Sequence, residues 1–97
     1  MSNIDIILLG SETCAPCKIQ EAILKQLEKS KQIRNFVKLD VDKNKELLDI
    51  YHVKALPTLI FLQKRDIIHY CTGALTMQQI LDFIEKHSLI EIGDDIK

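Results

Sequence analysis

Two cysteines three residues apart, Cys14 and Cys17, bracket Ala15-Pro16 within the stretch SETCAPCK from Ser11 to Lys18. A pair at this spacing suits three roles: a redox couple, half of a metal site, or packing by two small apolar side chains. Thiol-disulfide exchange needs a thiolate, and a free thiol with a pKa of about 8.5 is only a few per cent ionised at neutral pH. At a helix N-terminus, unpaired N–H groups and the dipole present roughly half a positive charge, and thiols there commonly fall to about 3.5 to 7.5. A pKa of ~7 raises the reactive fraction about tenfold. The cysteine nearer the helix start gains most, which makes Cys14 the nucleophile and Cys17, one turn further in, the resolving thiol. A metal reading instead joins Cys14 and Cys17 to His69 and Cys71, three cysteines and one histidine, as many ligands as a closed zinc site uses.

The elements around the pair decide between these roles. Ile4 to Leu9 is a nearly continuous apolar run, the pattern of a strand buried on both faces, and it stops at Gly10-Ser11. From Ala15 to about Lys29, Ile19, Ala22, Ile23 and Leu27 recur at helical spacing, with Pro16 suited to the first turn. The cysteines therefore stand at a strand-to-helix junction. Asn35 to Asp42 alternates as a second strand, and Asn44 is placed to cap a short helix holding Leu47, Leu48 and Tyr51. After Pro57, Thr58 to Leu62 reads as a strand, Lys64 to Asp66 as a turn, and Ile67 to Thr72 as the strand that closes a hairpin. Thr76 and Gln79 form a capping-box start to a helix striped by Met77, Ile80, Leu81 and Ile84, and residues 88–97 are left as a tail. The order β, α, β, α, β, β, α requires one parallel, right-handed unit and one antiparallel hairpin, hence a mixed sheet with helices on its faces.

The totals agree with a single domain over residues 1–97. Ninety-seven residues bury on the order of 60 to 65% of the surface of their unfolded chain. The composition, 46% apolar and 28% charged with three Gly and two Pro, is globular. A net charge of -1 with mixed signs offers no stripe for nucleic acid and no cationic face for a membrane. The N-terminus has no basic region or small-residue cleavage site, and the apolar runs are too short to span a bilayer, so a soluble, cytoplasmic chain is expected. In a reducing compartment an adjacent cysteine pair reads as catalytic or metal-binding rather than structural. The hairpin sets His69 and Cys71 on its second strand, with the strand Thr58 to Leu62 before them, apart from Cys14, which counts against zinc. Cys71 reads as a strand residue, and His52, His69 and His87 show no base-nucleophile spacing.

Cys14-Ala15-Pro16-Cys17-Lys18, KLDVDKN (Lys38 to Asn44), VKALPT (Val53 to Thr58) and Gly73-Ala74-Leu75 together resemble the thioredoxin family, in its order and over nearly the whole chain. The resemblance implies a minimal thioredoxin fold with a four-stranded sheet ordered 2-1-3-4 and a cis peptide between Leu56 and Pro57. It further implies a substrate surface from Thr13, Ala15, Pro16, Leu56, Pro57 and Gly73, with the backbone before the proline pairing with an extended substrate segment. The implied activity is reduction of protein disulfides by a monomer without bound cofactor, reset by an NADPH-dependent flavoprotein of the thioredoxin reductase kind. Thr13 stands where the family has tryptophan, Ala15 where glycine is common, and Leu8 where many members bury an acid, although Lys38 matches the lysine near it. Proton transfer from Cys17 then falls to water, Glu12 or Lys38. The family's extra N-terminal strand and helix do not precede the first strand, a minimal form shared with glutaredoxins. A glutathione-dependent oxidoreductase and a non-catalytic binding module are therefore the alternatives to a thioredoxin-like reductase.

Overall fold

The computed structural model describes residues 3–96, with side chains placed for residues 3–87. The elements are β1 (Ile4–Gly10), α1 (Ala15–Lys29), β2 (Asn35–Asp40), α2 (Glu46–Ile50), β3 (Thr58–Gln63), β4 (Asp66–Thr72) and α3 (Met77–Ile96). They build a four-stranded sheet in the order β2-β1-β3-β4, as the resemblance implies. β1 runs parallel to β2 and antiparallel to β3, and β3 pairs antiparallel with β4 through a register shift at Phe61/Leu62.

The nearly continuous apolar run of β1, broken by Asp5, which pairs with Arg34, is explained by its two covered faces. Ile4, Ile6 and Leu8 pack with Leu59 and Phe61 of β3 against Leu24 and Leu27 of α1 and Ile80 and Ile84 of α3. Leu9 turns the other way, to Ile60, Val41 and Leu47 of α2. A strand between two layers cannot alternate with polar residues, because either face would bury them without partners.

Several boundaries and faces differ from the sequence reading. The buried stripe of α1 is Cys17, Gln20, Leu24 and Leu27, whereas Ile19 is 65% exposed and Ala22 is also exposed. Positions 17, 20, 24 and 27 share helical spacing equally well, but a glutamine among them hides the stripe from an apolar count. β2 stops at Asp40, because Val41 N–H donates to Gly10 O at 3.0 Å and Asp42 N–H then turns back to Asp40 Oδ1 at 2.8 Å. Asn44 does not cap α2 with its side chain. Lys45 holds the cap position without a side-chain bond, and Asn44 only lends its carbonyl to Leu47 N–H at 3.1 Å. The hairpin turn is tighter than three residues: Lys64 and Arg65 alone make it, with φ of 52° and 72°. That left-handed backbone usually draws Asn and Gly, and with Lys64 and Arg65 in their place the sequence marks the turn by its charge but not its exact length.

The capping box at α3 is present: Gln79 N–H donates to Thr76 Oγ1 at 3.1 Å, and Thr76 N–H donates to Gln79 Oε1 at 2.8 Å. From this nucleus the backbone stays helical to Ile96, so the tail expected from Ser88 onward continues the helix. Lys97 lies outside the described residues.

Candidate active site

Three chain segments meet at one end of the sheet. Leu9 pairs with Thr58 and Thr58 with Thr72, so Gly10 at the end of β1, Pro57 before β3 and Gly73 after β4 lie side by side. Gly73 N–H donates to Pro57 O at 2.8 Å, and Thr58 Oγ1–H donates to Ala55 O at 2.8 Å, fixing the turn around the proline. The Leu56-Pro57 peptide is cis, as the resemblance implies. Gly73 has φ of 92°, a conformation that an L side chain resists, while the space beside it is open.

The cysteines stand where β1 gives way to α1. Cys14 is the N-cap residue, extended at φ -95° and ψ 107°, and its Sγ accepts the N–H of Cys17 at 3.2 Å. The two are joined in a disulfide with Cα atoms 5.2 Å apart. Cys17 is fully buried and Cys14 is half-buried, so of the two only Cys14 reaches the surface. The first turn of α1 carries no acidic side chain that would offset the positive end of the helix. Pro16 occupies that turn, where a missing N–H is no loss. Thr13, Ala15 and Pro16 are exposed around Cys14, Leu56 is half-buried, and Pro57 is buried.

The thioredoxin family model matches residues 2–86. The chain belongs to the thioredoxin family. It is 40% identical over 79 residues to a thioredoxin of Mycoplasmoides gallisepticum (strain R(low / passage 15 / clone 2)), covering 81% of this chain and 70% of the relative. A thioredoxin of Buchnera aphidicola subsp. Schizaphis graminum (strain Sg) is 30% identical over 80 residues, 79% of this chain and 72% of that protein. The oxidised form of mitochondrial thioredoxin 3 from Saccharomyces cerevisiae superposes with a TM-score of 0.72 at 25% identity, covering 89% of this chain and 80% of that one. A mutant thioredoxin from Halobacterium salinarum NRC-1, 24% identical, shares the fold with a TM-score of 0.76 over 88% of this chain and 74% of its own. With the cysteine pair at bonding distance, family membership makes the chain a thiol-disulfide oxidoreductase, a disulfide reductase of the thioredoxin kind.

Against the family pattern, Leu8 is fully buried and pairs in register with Lys38, whose Nζ lies 3.3 Å from Glu21 Oε1 on α1. The lysine thus has an acid partner from the helix in place of one from β1. Glu12 is exposed on the loop before Cys14. The histidines serve packing and surface positions: His52 lies just past the C-cap of α2 with φ of 52°, His69 stacks on Phe83 at 4.6 Å, and His87 Nε2 lies 2.7 Å from Gln63 Oε1. Cys71, the third thiol, is half-buried on β4 against the core. Among the described residues no three His, Cys, Asp or Glu gather where they could hold a metal ion, and no helix is long and apolar enough to cross a membrane.

Three residues of the site escape the sequence reading. Gly10 stands there only as the end of a strand. A Cβ on it would sit 3.2 Å from both Cβ and Sγ of Cys17, so glycine makes the room for the buried sulfur. Gln20, 1% exposed, donates from Nε2 to Leu75 O at 3.1 Å and accepts Leu75 N–H on Oε1 at 2.7 Å, tying the cysteine helix to the loop after Gly73. Ser11, 4% exposed, donates its hydroxyl to Asp42 Oδ2. No local motif announces any of the three. A glycine set directly between a buried strand and the cysteines was the one available hint.

Proposed function

We propose that the Cys14/Cys17 couple reduces disulfides in protein substrates, with Cys14 as nucleophile and Cys17 as resolving thiol. The observation that carries this reading is the Cys17 N–H directed at Cys14 Sγ from the first turn of α1, a donor that favours the anionic sulfur over the neutral one. Cys14 thiolate attacks one sulfur of the substrate disulfide, forming a mixed disulfide and releasing the other substrate sulfur as a thiolate. Cys17 gives up its proton and attacks Cys14 Sγ, which expels the second substrate thiolate. Two electrons have then passed to the substrate, and the protein holds the Cys14–Cys17 disulfide.

Thr13, Ala15, Pro16, Leu56, Pro57 and Gly73 form the substrate seat in this reading. Among the described residues no hydrogen bond uses the N–H or C=O of Leu56, which supports an extended substrate segment pairing there. Residues 1–97 act as one cytoplasmic, monomeric domain without a bound cofactor, contributing to electron transfer and thiol homeostasis. An NADPH-dependent flavoprotein of the thioredoxin reductase kind resets the couple.

The competing reductants give a direct test. With insulin as terminal acceptor, NADPH oxidation through thioredoxin reductase should run at least about tenfold faster than through glutathione and glutathione reductase. Faster turnover through glutathione would make the chain glutaredoxin-like. No turnover with either, and none with dithiothreitol, would leave only a binding module.

A further inference from the structure

The loop that carries Cys14 is tied to a distant segment through one buried hydroxyl. Ser11 Oγ donates its only proton to Asp42 Oδ2, so its lone pairs are left to accept. They face Thr13 N–H at 3.3 Å and Thr13 Oγ1 at 3.0 Å, and with the serine proton already committed, Thr13 is the donor in both contacts. Ser11 O in turn accepts Cys14 N–H at 3.2 Å. Thr13 and Cys14 thus both donate back to Ser11, and Ser11 leads to Asp42. Asp42 is itself fixed, its N–H bonded to Asp40 Oδ1 and the preceding Val41 N–H to Gly10 O.

We propose that Asp42 acts through Ser11 as a positioning residue, holding Cys14 over the Cys17 N–H so that the thiolate stays stabilised once the disulfide is open. In the oxidised protein the covalent bond alone keeps the sulfurs together. After reduction, the conformation of the 11–14 turn, together with the Lys18 N–H bond to Cys14 O at 3.3 Å, keeps Cys14 Sγ at its helix-end donor, and a hydrogen bond weakens steeply as its geometry is lost. A carboxylate acceptor makes the anchoring bond charge-assisted, stronger than one between neutral groups. The Asp42 charge also acts across space in the opposite sense, opposing a second anion. The two effects therefore predict opposite outcomes for chosen variants. This inference rests on the reading of Cys14 as the nucleophile.

The test is the pH profile of iodoacetamide alkylation of the reduced protein, with the labelled cysteine located by peptide mapping. Ser11→Ala leaves every charge near the loop in place, including Glu12, Lys18, Asp40 and Asp42. It should move the Cys14 profile to higher pH by about half a unit, slowing alkylation about threefold below the pKa. Asp42→Ala, at an exposed position where the fold tolerates truncation, should do the same. Asp42→Asn keeps an oxygen for the Ser11 hydroxyl and should restore the wild-type profile to within about twofold. Label on Cys14 with an unmoved profile in Ser11→Ala, or faster alkylation in both Asp42 variants, would overturn the relay and leave the nucleophile standing. Label on Cys17 in place of Cys14 would overturn both.

Discussion

Replacing Cys14 by Ser should leave the protein folded and lower its rate of insulin reduction at least about a thousandfold, to the background of dithiothreitol alone. The fold survives because serine is among the best N-cap residues, and its Oγ can accept the Cys17 N–H that Cys14 Sγ now accepts. The chemistry does not survive, since a serine hydroxyl at neutral pH is neither an anion nor able to form a disulfide. Cys17→Ser separates the two roles. It should retain the first step and accumulate a mixed disulfide on Cys14, because the hydroxyl then buried at position 17 cannot resolve it. Cys71, on β4 and against the core, lies outside this cycle, and Cys71→Ser should reduce insulin as the wild type does. A Cys14→Ser variant with wild-type turnover would show that the pair only shapes a binding surface.

Gln20→Leu should destabilise the protein by about 2 to 4 kcal/mol, although it adds an apolar side chain to a buried helix face. Gln20 supplies both a donor and an acceptor to Leu75, acting as a backbone partner would. Leucine fills the space and leaves the Leu75 N–H and C=O without partners, at about 1 to 3 kcal/mol for each group that water cannot reach. For a domain of this size that corresponds to a fall in melting temperature of roughly 10 to 25 °C. Gln20→Glu keeps the acceptor but sets a buried carboxylate against the Leu75 carbonyl, and should destabilise at neutral pH at least as much as leucine does. The loop from Gly73 to Leu75 also loses its tie to the cysteine helix, so substrate turnover at low temperature should drop before the fold does. Thermal unfolding of the three proteins checks the order, and a leucine variant within about 0.5 kcal/mol of wild type would contradict the argument.

The same residue shows where the sequence stops being legible. Element order and the cysteine pair can be read, because each depends on local signals, a two-faced apolar run, a capping box, a C-x-x-C at a strand end, whereas the sheet order follows only from the family resemblance. Gln20 reads as part of a polar face, because its partner lies 55 residues away. Ser11 reads as loop for the same reason, with Asp42 31 residues distant. Gly10 gives no sign that its missing side chain is filled by Cys17. Asn44 fails in the opposite direction. Its type suits a cap, yet the turn through residues 41–44 delays the helix to Glu46 and leaves the asparagine side chain outside it. Propensity is overridden where tertiary contacts choose the backbone path, and these are the places that assemble the site.

The central claim is that Cys14 and Cys17 form one reversible two-electron couple. Equilibrating the protein across a series of glutathione redox buffers, quenching with acid and mapping the thiols by mass tests it most directly. The account predicts one transition with a slope of about 30 mV per decade, in which two hydrogens are lost from the peptide holding Cys14 and Cys17 while Cys71 stays free. Two cysteines that remain separate thiols, or that each take up a glutathione throughout the series, would contradict it.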